Sequence, residues 1–498
     1  MNIQIIPLFI AIPLFTAFLM QIIARINKEC CDFFGNVAAF ALACLSVFSL
    51  FMIQGGETII YKMGGWNPPF GIVLVLDGLS ALMLFTVSII SLVVTVYSIQ
   101  YMKKFTDKPK YYTLLMLMIA GMNGVILTGD FFNMYVFIEI AAVSSYALVA
   151  FGTEAEELEA SFKYMVLGSV ASALILFSVA IIYATTGTLN MAHVSRIVSE
   201  QGITPPILLC FAMFIAGFGL KGAMVPFHAW LPDAHPSAPA PISAMLSGLL
   251  IKAIGVYALT RIIFNVFGIN ASFSLILMFF GALSMIVGVI LAVGQWDLKR
   301  LLAYHSVSQM GYVFLGLGLA TPLGILGGLF HLFNHAAFKS LLFLNSGAVE
   351  YSAGTRDLNN MGGLRDRMPG TFTTSLAASM SIAGVPPFNG FWSKLFIILA
   401  AVKSGHNVYA LLAVIASILT LASFLKVQKY GFFGKLKDKL KDTKDAPGLM
   451  LVSMGALAVI CLVVGLGFPV VVKYIIDPAS QTLLNGLGYA DMVLGGVK

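Results

Sequence analysis

The chain is 498 residues long, 59% apolar and only 10% charged, with 29 Lys and Arg against 22 Asp and Glu for a formal net charge of +7. Soluble domains carry roughly 25% charged residues. A mean hydropathy of +0.94 over the whole length makes lipid or other helices the solvent of most side chains and excludes a large soluble helical protein. The basic excess excludes itself as a nucleic-acid site, because its residues fall in loops between apolar spans.

About twenty apolar residues cross a bilayer as a helix. By that measure the sequence reads as an all-α polytopic membrane protein of about fourteen spans. They lie at roughly 4–23, 34–53, 73–98, 112–128, 131–152, 162–185, 206–229, 240–265, 272–294, 301–319, 322–349, 371–402, 408–433 and 447–471. The first has no basic residue before it, and Arg25 and Lys28 follow it. A cleaved secretory signal has its positive charges first, so this reads as a retained helix. Cys30, Cys31, Cys44, Cys210 and Cys461 form no CxxC pair. The compact four-thiolate spacing of an iron–sulfur cluster is absent, and the reading assigns no cofactor, no metal and no hydrolytic site.

Loops after odd-numbered spans hold about nineteen basic residues, among them Arg25, Lys28, Lys103, Lys104, Lys163, Lys299, Arg300 and Arg356. The cluster Lys435, Lys437, Lys439, Lys441 and Lys444 belongs to this set. Loops after even-numbered spans hold about four, Lys62, Arg196, Arg261 and Lys403. The positive-inside rule places the odd loops in the cytoplasm and both termini outside. The longest non-spanning stretches, 54–72, 187–205, 350–370, 434–447 and the tail after Val470, are each short enough for a loop or a surface helix. Residues 435–445 alternate basic, acidic and apolar and read as an amphipathic connector.

The seventh span contains Val225-Pro226-Phe227-His228-Ala229-Trp230, and the twelfth contains Val385-Pro386-Pro387-Phe388-Asn389-Gly390-Phe391-Trp392. The odd offset between the two spans makes them cross the membrane in opposite directions. Proline removes a backbone donor and frees the carbonyls before it. Lipid cannot satisfy those groups, so such breaks are expected to be buried in protein or to line a polar cavity. Paired broken helices in two halves of a chain point to a transport site, which makes Pro226, Pro386 and Pro387 the expected helix breaks.

A charge at mid-bilayer costs about 3 kcal/mol or more on insertion scales. The spans nevertheless hold Glu139 in the fifth, Lys221 in the seventh, Lys252 in the eighth, Lys339 in the eleventh and Lys394 just after the break of the twelfth. Burial and like-charge repulsion disfavour an ammonium while a nearby carboxylate favours it. Lysines held between those influences can load and release protons with small motions, and Glu139 with Lys221 is the expected ion pair. His305 lies early in the tenth span, while His331 and His335 precede Lys339 at intervals of four on one helical face. A neutral imidazole accepts and donates through its two nitrogens and suits a shuttle between lysines. His228 and His235 flank the exit of the seventh span and read equally as loop residues. Asp77 and Glu350 lie near the interfaces and stand as either structural or access residues.

These stretches resemble the antiporter-type subunits shared by respiratory complex I, multisubunit Mrp sodium/proton antiporters and membrane-bound hydrogenases. The likeness covers essentially the whole chain. It is strongest in Lys221-Gly222-Ala223-Met224-Val225-Pro226-Phe227-His228-Ala229-Trp230-Leu231-Pro232-Asp233-Ala234-His235 and in His331-Leu332-Phe333-Asn334-His335-Ala336-Ala337-Phe338-Lys339. The run Pro236-Ser237-Ala238-Pro239-Ala240-Pro241-Ile242-Ser243 is most similar to the Mrp D-type subunit.

The resemblance implies two inverted five-helix repeats, each with a broken helix, over residues 112–265 and 266–433. Three helices precede them in 1–111, and a connector, a last helix and a tail follow in 434–498. It implies that Glu139 and Lys221 form the family's Glu–Lys pair and that Lys252 is the linking lysine. His331, His335 and Lys339 correspond to the connecting stripe, and Lys394 to the terminal group, where some complex I members carry Glu. The tail is too short and polar for a long lateral helix. The partners implied are other membrane subunits and the lipid bilayer, with protons and possibly sodium ions as cargo. The expected function is an ion-translocating subunit of an Mrp-type antiporter or an Mrp-containing redox pump. A complex I-type pumping subunit and a stand-alone solute carrier are the alternatives.

Overall fold

The computed structural model describes residues 3–25, 27–105 and 107–495. The chain runs through α1 (Leu8–Ile23) and α2 (Cys30–Met52), then a small antiparallel hairpin of β1 (Ile59–Lys62) and β2 (Val73–Leu76), with Ile59 opposite Leu76. Helices α3 (Gly78–Tyr101), α4 (Lys108–Leu127), α5 (Phe131–Val149) and α6 (Ala155–Thr186) follow. Then come the short amphipathic α7 (Met191–Gln201), α8 (Pro205–Lys221) and α9 (Leu231–Ser237). The next helix is continuous in space but changes winding. It consists of α10 (Ala240–Met245), a π-helical stretch over Leu246–Tyr257, α11 (Ala258–Arg261) and a second π stretch over Ile262–Val266. The second half comprises α12 (Ala271–Val293), α13 (Leu298–Gly318), α14 (Pro322–Ala353), α15 (Pro369–Ala383), α16 (Asn389–Lys403), α17 (Asn407–Val427) and α18 (Gly448–Leu466). The tail folds into the short helices α19 (Phe468–Val471), α20 (Asp477–Leu484) and α21 (Tyr489–Gly495).

Ten helices among the described residues are long and apolar enough to cross a membrane. Two corrections to the sequence reading follow. The expected third span starts too early, because the apolar run Val73–Leu76 pairs as a strand; the helix proper starts where Asp77 accepts the Ser80 amide proton at 2.9 Å. The seventh span is not helical through residue 229, since α8 ends at Lys221. The connector at 435–445 holds only a 3-10 turn at Asp438–Leu440. It is anchored by buried Leu440 and by Asp445, whose carboxylate caps the start of α15 by accepting from Gly370 N at 2.7 Å.

Two interior helices form the axis of the bundle. Every residue from Ala240 to Phe267 is buried, and so is every residue of α14 from Gly327 to Val349. An all-round apolar environment suits helices surrounded by others, yet both carry lysine, and α14 carries two histidines as well. The remaining helices shield this axis and expose large apolar side chains such as Phe15, Phe51, Phe177 and Val452 outward, as lipid requires.

The carbonyls freed at the two breaks lie on buried residues and are met by protein side chains. Pro226, Pro386 and Pro387 are themselves exposed, so burial of the rings is not what makes the breaks tolerable. At the first break the Trp230 indole donates to Leu220 O at 2.8 Å, and Val225 N donates to Ser284 Oγ at 2.9 Å. At the second, Lys394 Nζ donates to Ile382 O at 2.7 Å and Ser417 Oγ to Ala383 O at 3.2 Å. Unpaired backbone groups in an apolar interior are what these side chains remove.

Candidate functional site

Glu139 on α5 receives a hydrogen bond from Ser172 Oγ on α6. Its carboxylate stands 3.8 Å from Lys221 Nζ, with the glutamate one-third exposed and the lysine nearly enclosed. Lys221 also donates to Gly168 O at 3.4 Å. A Cβ at Gly168 would overlap the Tyr146 hydroxyl and force that ring to shift. Lys221 is the last residue of α8, and the turn after it rests Gly222 directly on Gly255, three residues from Lys252. A cavity of about 20 Å³ lies beside Lys221, lined by Tyr146, Tyr164, Gly168 and Trp230. That volume admits about one water molecule and lies far below the roughly 300–1,000 Å³ of organic-ligand pockets.

Lys252 is fully buried in the π-helical stretch and donates to Ser247 O at 2.5 Å, five residues back. A π winding widens the helix and turns carbonyls away from the regular ladder, which is why such bulges recur at functional positions. Ser247 Oγ is 2.6 Å from Ser306 Oγ on α13, so the Lys252 helix joins α13 through a hydroxyl pair. The adjacent His305 bonds Ser423 Oγ of α17 through Nε2 at 2.8 Å.

On α14, Lys339 Nζ donates to Leu302 O at 2.9 Å and is fully buried. Its helix continues fourteen residues to Ala353, so the ammonium does not reach an interface by snorkelling. His335 lies one turn back, within electrostatic reach of Lys252, Lys339, His331 and Lys394. Neither of its ring nitrogens has a protein partner among the described residues. His331 bridges Ser393 Oγ at 2.9 Å and Gln309 Oε1 at 3.2 Å, and Ser393 precedes Lys394. The Lys394 ammonium is 4.9 Å from the centre of the Tyr312 ring and 3.2 Å from Ser417 Oγ.

The order of lysine and proline differs between the two halves, but each lysine reaches the same kind of place in its own half. Lys221 ends α8, while Lys394 reaches back from α16 to the carbonyl end of α15, so each belongs to the negative end of a half-helix. Glu139 with Lys221 thus forms one unit. Lys252, His335, Lys339, His331 and Lys394 form a second, with His305 beside it on α13 next to Ser306, which pairs with Ser247. Both ring nitrogens of His335, Nδ1 of His305 and Nε2 of Gln309 have no protein partner among the described residues, and such buried groups are ones that ordered water meets in folded proteins.

Several polar residues were missed or misassigned in the sequence. Arg261 and Lys299, read as loop residues, are buried. Asp77 pairs with Arg261 at 2.7 Å, which makes Asp77 a structural tie between α3 and α11. Lys299 pairs with Glu350 at 3.0 Å. His235, read as an exit-loop residue, is fully buried. Ser247, Ser306, Ser393 and Gln309 carried a legible signal, being hydroxyl and amide side chains inside apolar spans.

Residues 128–420 match the family model described as NADH:quinone oxidoreductase/Mrp antiporter, transmembrane region, and residues 62–112 match that of the complex I chain 5 N-terminus. The chain is 34% identical to the D-type subunit of the Na(+)/H(+) antiporter of Alkalihalophilus pseudofirmus, over 92% of this chain and 93% of that one. Its fold is similar to a chain in the Mrp complex of a Dietzia species, with a TM-score of 0.92 and 30% identity over 99% of this chain and 100% of that one. A chain of the membrane-bound sulfane sulfur reductase, an archaeal respiratory membrane complex, gives a TM-score of 0.91 and 32% identity over 99% and 100%. The chain belongs to the NADH:quinone oxidoreductase/Mrp antiporter family of membrane subunits.

Proposed function

We propose that this chain is an antiporter-like subunit of a multisubunit membrane complex that moves protons, sodium ions or both across a prokaryotic cytoplasmic membrane, in the manner of an Mrp D-type subunit. The observation that carries the reading is the file of buried titratable groups from Lys252 through Lys339, His335 and His331 to Lys394, which no solvent-facing or lipid-facing role explains. Glu139 with Lys221 gates that file. Opening or closing the pair changes the charge felt at Lys252, and protons pass from Lys252 along Lys339, His335 and His331 to Lys394, with His305 beside the route.

In this reading both termini face outward and fourteen segments cross the bilayer, α8 with α9 and α15 with α16 each counting as one broken span. Residues 1–111 form a three-helix flank, 112–265 and 266–433 the two inverted repeats, and 434–498 the connector, last helix and tail. A complex I-type pumping subunit is the second reading, favoured by the family model that joins the two classes. A stand-alone carrier for organic solutes is disfavoured by the water-sized cavity at Lys221.

The test is ion transport by the assembled complex in sealed vesicles. Lys221→Ala or Glu139→Ala is expected to lower the rate at least about tenfold, equivalent to about 1.4 kcal/mol of barrier, with assembly intact. Unchanged transport in either variant overturns the reading.

A further inference from the structure

The middle of α14 is buried, and a narrow groove between α3 and α18 reaches it from the lipid-facing surface. Phe85 of α3 and Val459 and Val464 of α18 form its walls, and Phe333 and Ala337 of α14 form its floor. The groove encloses about 230 Å³. Phe85 stacks on Phe333 with ring centroids 6.1 Å apart, while Val459 and Val463 at the lip are exposed. Phe333 and Ala337 follow His331 and His335 by two positions, about 200° around the helix. They therefore occupy the face of α14 turned away from its titratable stripe.

The lining restricts what can fill this space. Thr86 is its one polar residue, and the Thr86 hydroxyl already donates to Leu82 O at 2.7 Å. Water needs two to four polar partners to stay in such a cavity, and a quinone or polar solute needs groups that orient it. Neither finds them here. A helix of a partner subunit measures about 10–12 Å across with its side chains, so one turn of about 5.4 Å already exceeds the volume available. A hydrocarbon chain is thin and apolar along its whole length, and it fits.

The tail side of the groove supplies a counterpart for a headgroup. Val471 and Ile475 close that end. On the same turn, within the π-wound stretch Val472–Ile476, Lys473 and Tyr474 are exposed, with the ammonium 5.2 Å from the ring centre. Gln54 of α2 donates to Tyr474 O at 2.8 Å and ties the turn to α2. Among the described residues no carboxylate pairs with Lys473; Asp477, one turn on, accepts instead from Gln481 Nε2 at 3.3 Å. Tyrosine and lysine together are side chains that anchor at headgroup level.

We propose that this groove binds one phospholipid with an anionic headgroup, an acyl chain lying on Phe333 and Ala337 and the phosphate at Lys473. In the proposed orientation the lipid comes from the outer leaflet. The chain gives the lining the contacts that an empty groove denies it. It also backs α14 with hydrocarbon behind the titratable stripe. The site concerns lipid binding and stands independently of which ion the complex moves.

The experiment places the assembled complex in phosphatidylcholine vesicles containing a trace of phosphatidylglycerol with a photoreactive group midway along one acyl chain. Crosslinks are mapped by mass spectrometry, with the outward residue Val452 as the reference for ordinary lipid contact. Phe333 or Ala337 is expected to be labelled. The same probe on phosphatidylcholine is expected to label α14 about fivefold less, the share of one lysine at an anionic headgroup, and Lys473→Gln is expected to remove that preference. Ala337→Leu fills the groove and is expected to lower α14 labelling at least about fivefold while Val452 labelling stays unchanged. If that variant fails to assemble, Val464→Phe fills the groove from α18 and is read in the same way. Labelling of Val452 without α14 overturns the site, and α14 labelling that emerges only after neighbouring subunits are stripped away overturns it in favour of a partner helix. Equal labelling by the two headgroups, or no effect of Lys473→Gln, overturns the assignment of an anionic lipid.

Discussion

Replacing Asp77 by Asn isolates one buried charge. Asp77 and Arg261 are 2% and 6% exposed and meet as a two-pronged pair at 2.7 and 2.8 Å. Arg261 is further held by Asn265 Oδ1 at 3.2 Å and the Tyr257 hydroxyl at 3.2 Å. Asn caps a helix about as well as Asp, so Asp77→Asn keeps the Ser80 contact, removes the negative charge and turns an amide N–H toward Arg261 Nη1. Guanidinium does not deprotonate in proteins, so Arg261 cannot escape by neutralising, as a lysine would. Breaking a buried pair from one side costs about 3–5 kcal/mol, whereas replacing both partners by groups without charge is close to neutral.

Asp77→Asn is therefore expected to lower the melting temperature of the purified complex by several degrees and to reduce its assembled yield. Adding Arg261→Met is expected to restore most of both. The assay is thermal melting at one fixed scan rate, because unfolding of such an assembly is irreversible. An Asp77→Asn protein as stable as wild type, or a double variant no better than the single, refutes the charge-isolation reasoning.

Lys252→Arg and Lys394→Arg keep a cation at each site but remove the ability to release a proton. Both are expected to assemble and to retain less than about a tenth of wild-type transport in vesicles. Trp230→Phe removes the indole bond to Leu220 O, which keeps the Ala223 amide at 3.2 Å, and is expected to cost about 0.5–1.5 kcal/mol, read as a lower melting temperature. Gly255→Ala places a methyl against Gly222 and is expected to displace the end of α8 from Lys252. Its transport rate should fall more than its assembled yield, and equal losses would show a packing role alone. Ser247→Ala removes the hydroxyl link to Ser306 and is expected to slow transport while leaving melting within about 1 kcal/mol of wild type.

The apolar spans, their breaks at Pro226 and at Pro386 with Pro387, and the charges at Glu139, Lys221, Lys252, Lys339 and Lys394 were legible in the sequence. Hydrophobic length is a local property, and a charge inside such a length is conspicuous against it. Which charges are buried together was not legible. Arg261 is buried because Asp77, 184 residues earlier, neutralises it, and Lys299 because Glu350 does. His235 reads as a loop residue until α14 is laid beside α9 and its ring meets Phe343. The π winding around Lys252 carries no simple sequence mark, since it follows from packing against neighbouring helices. The order of lysine and proline set the two breaks apart in the sequence. The tertiary structure put both at the carbonyl end of a half-helix, because a flexible lysine stem can span the turn that separates Lys394 from the end of α15, while Lys221 alone has a carboxylate partner.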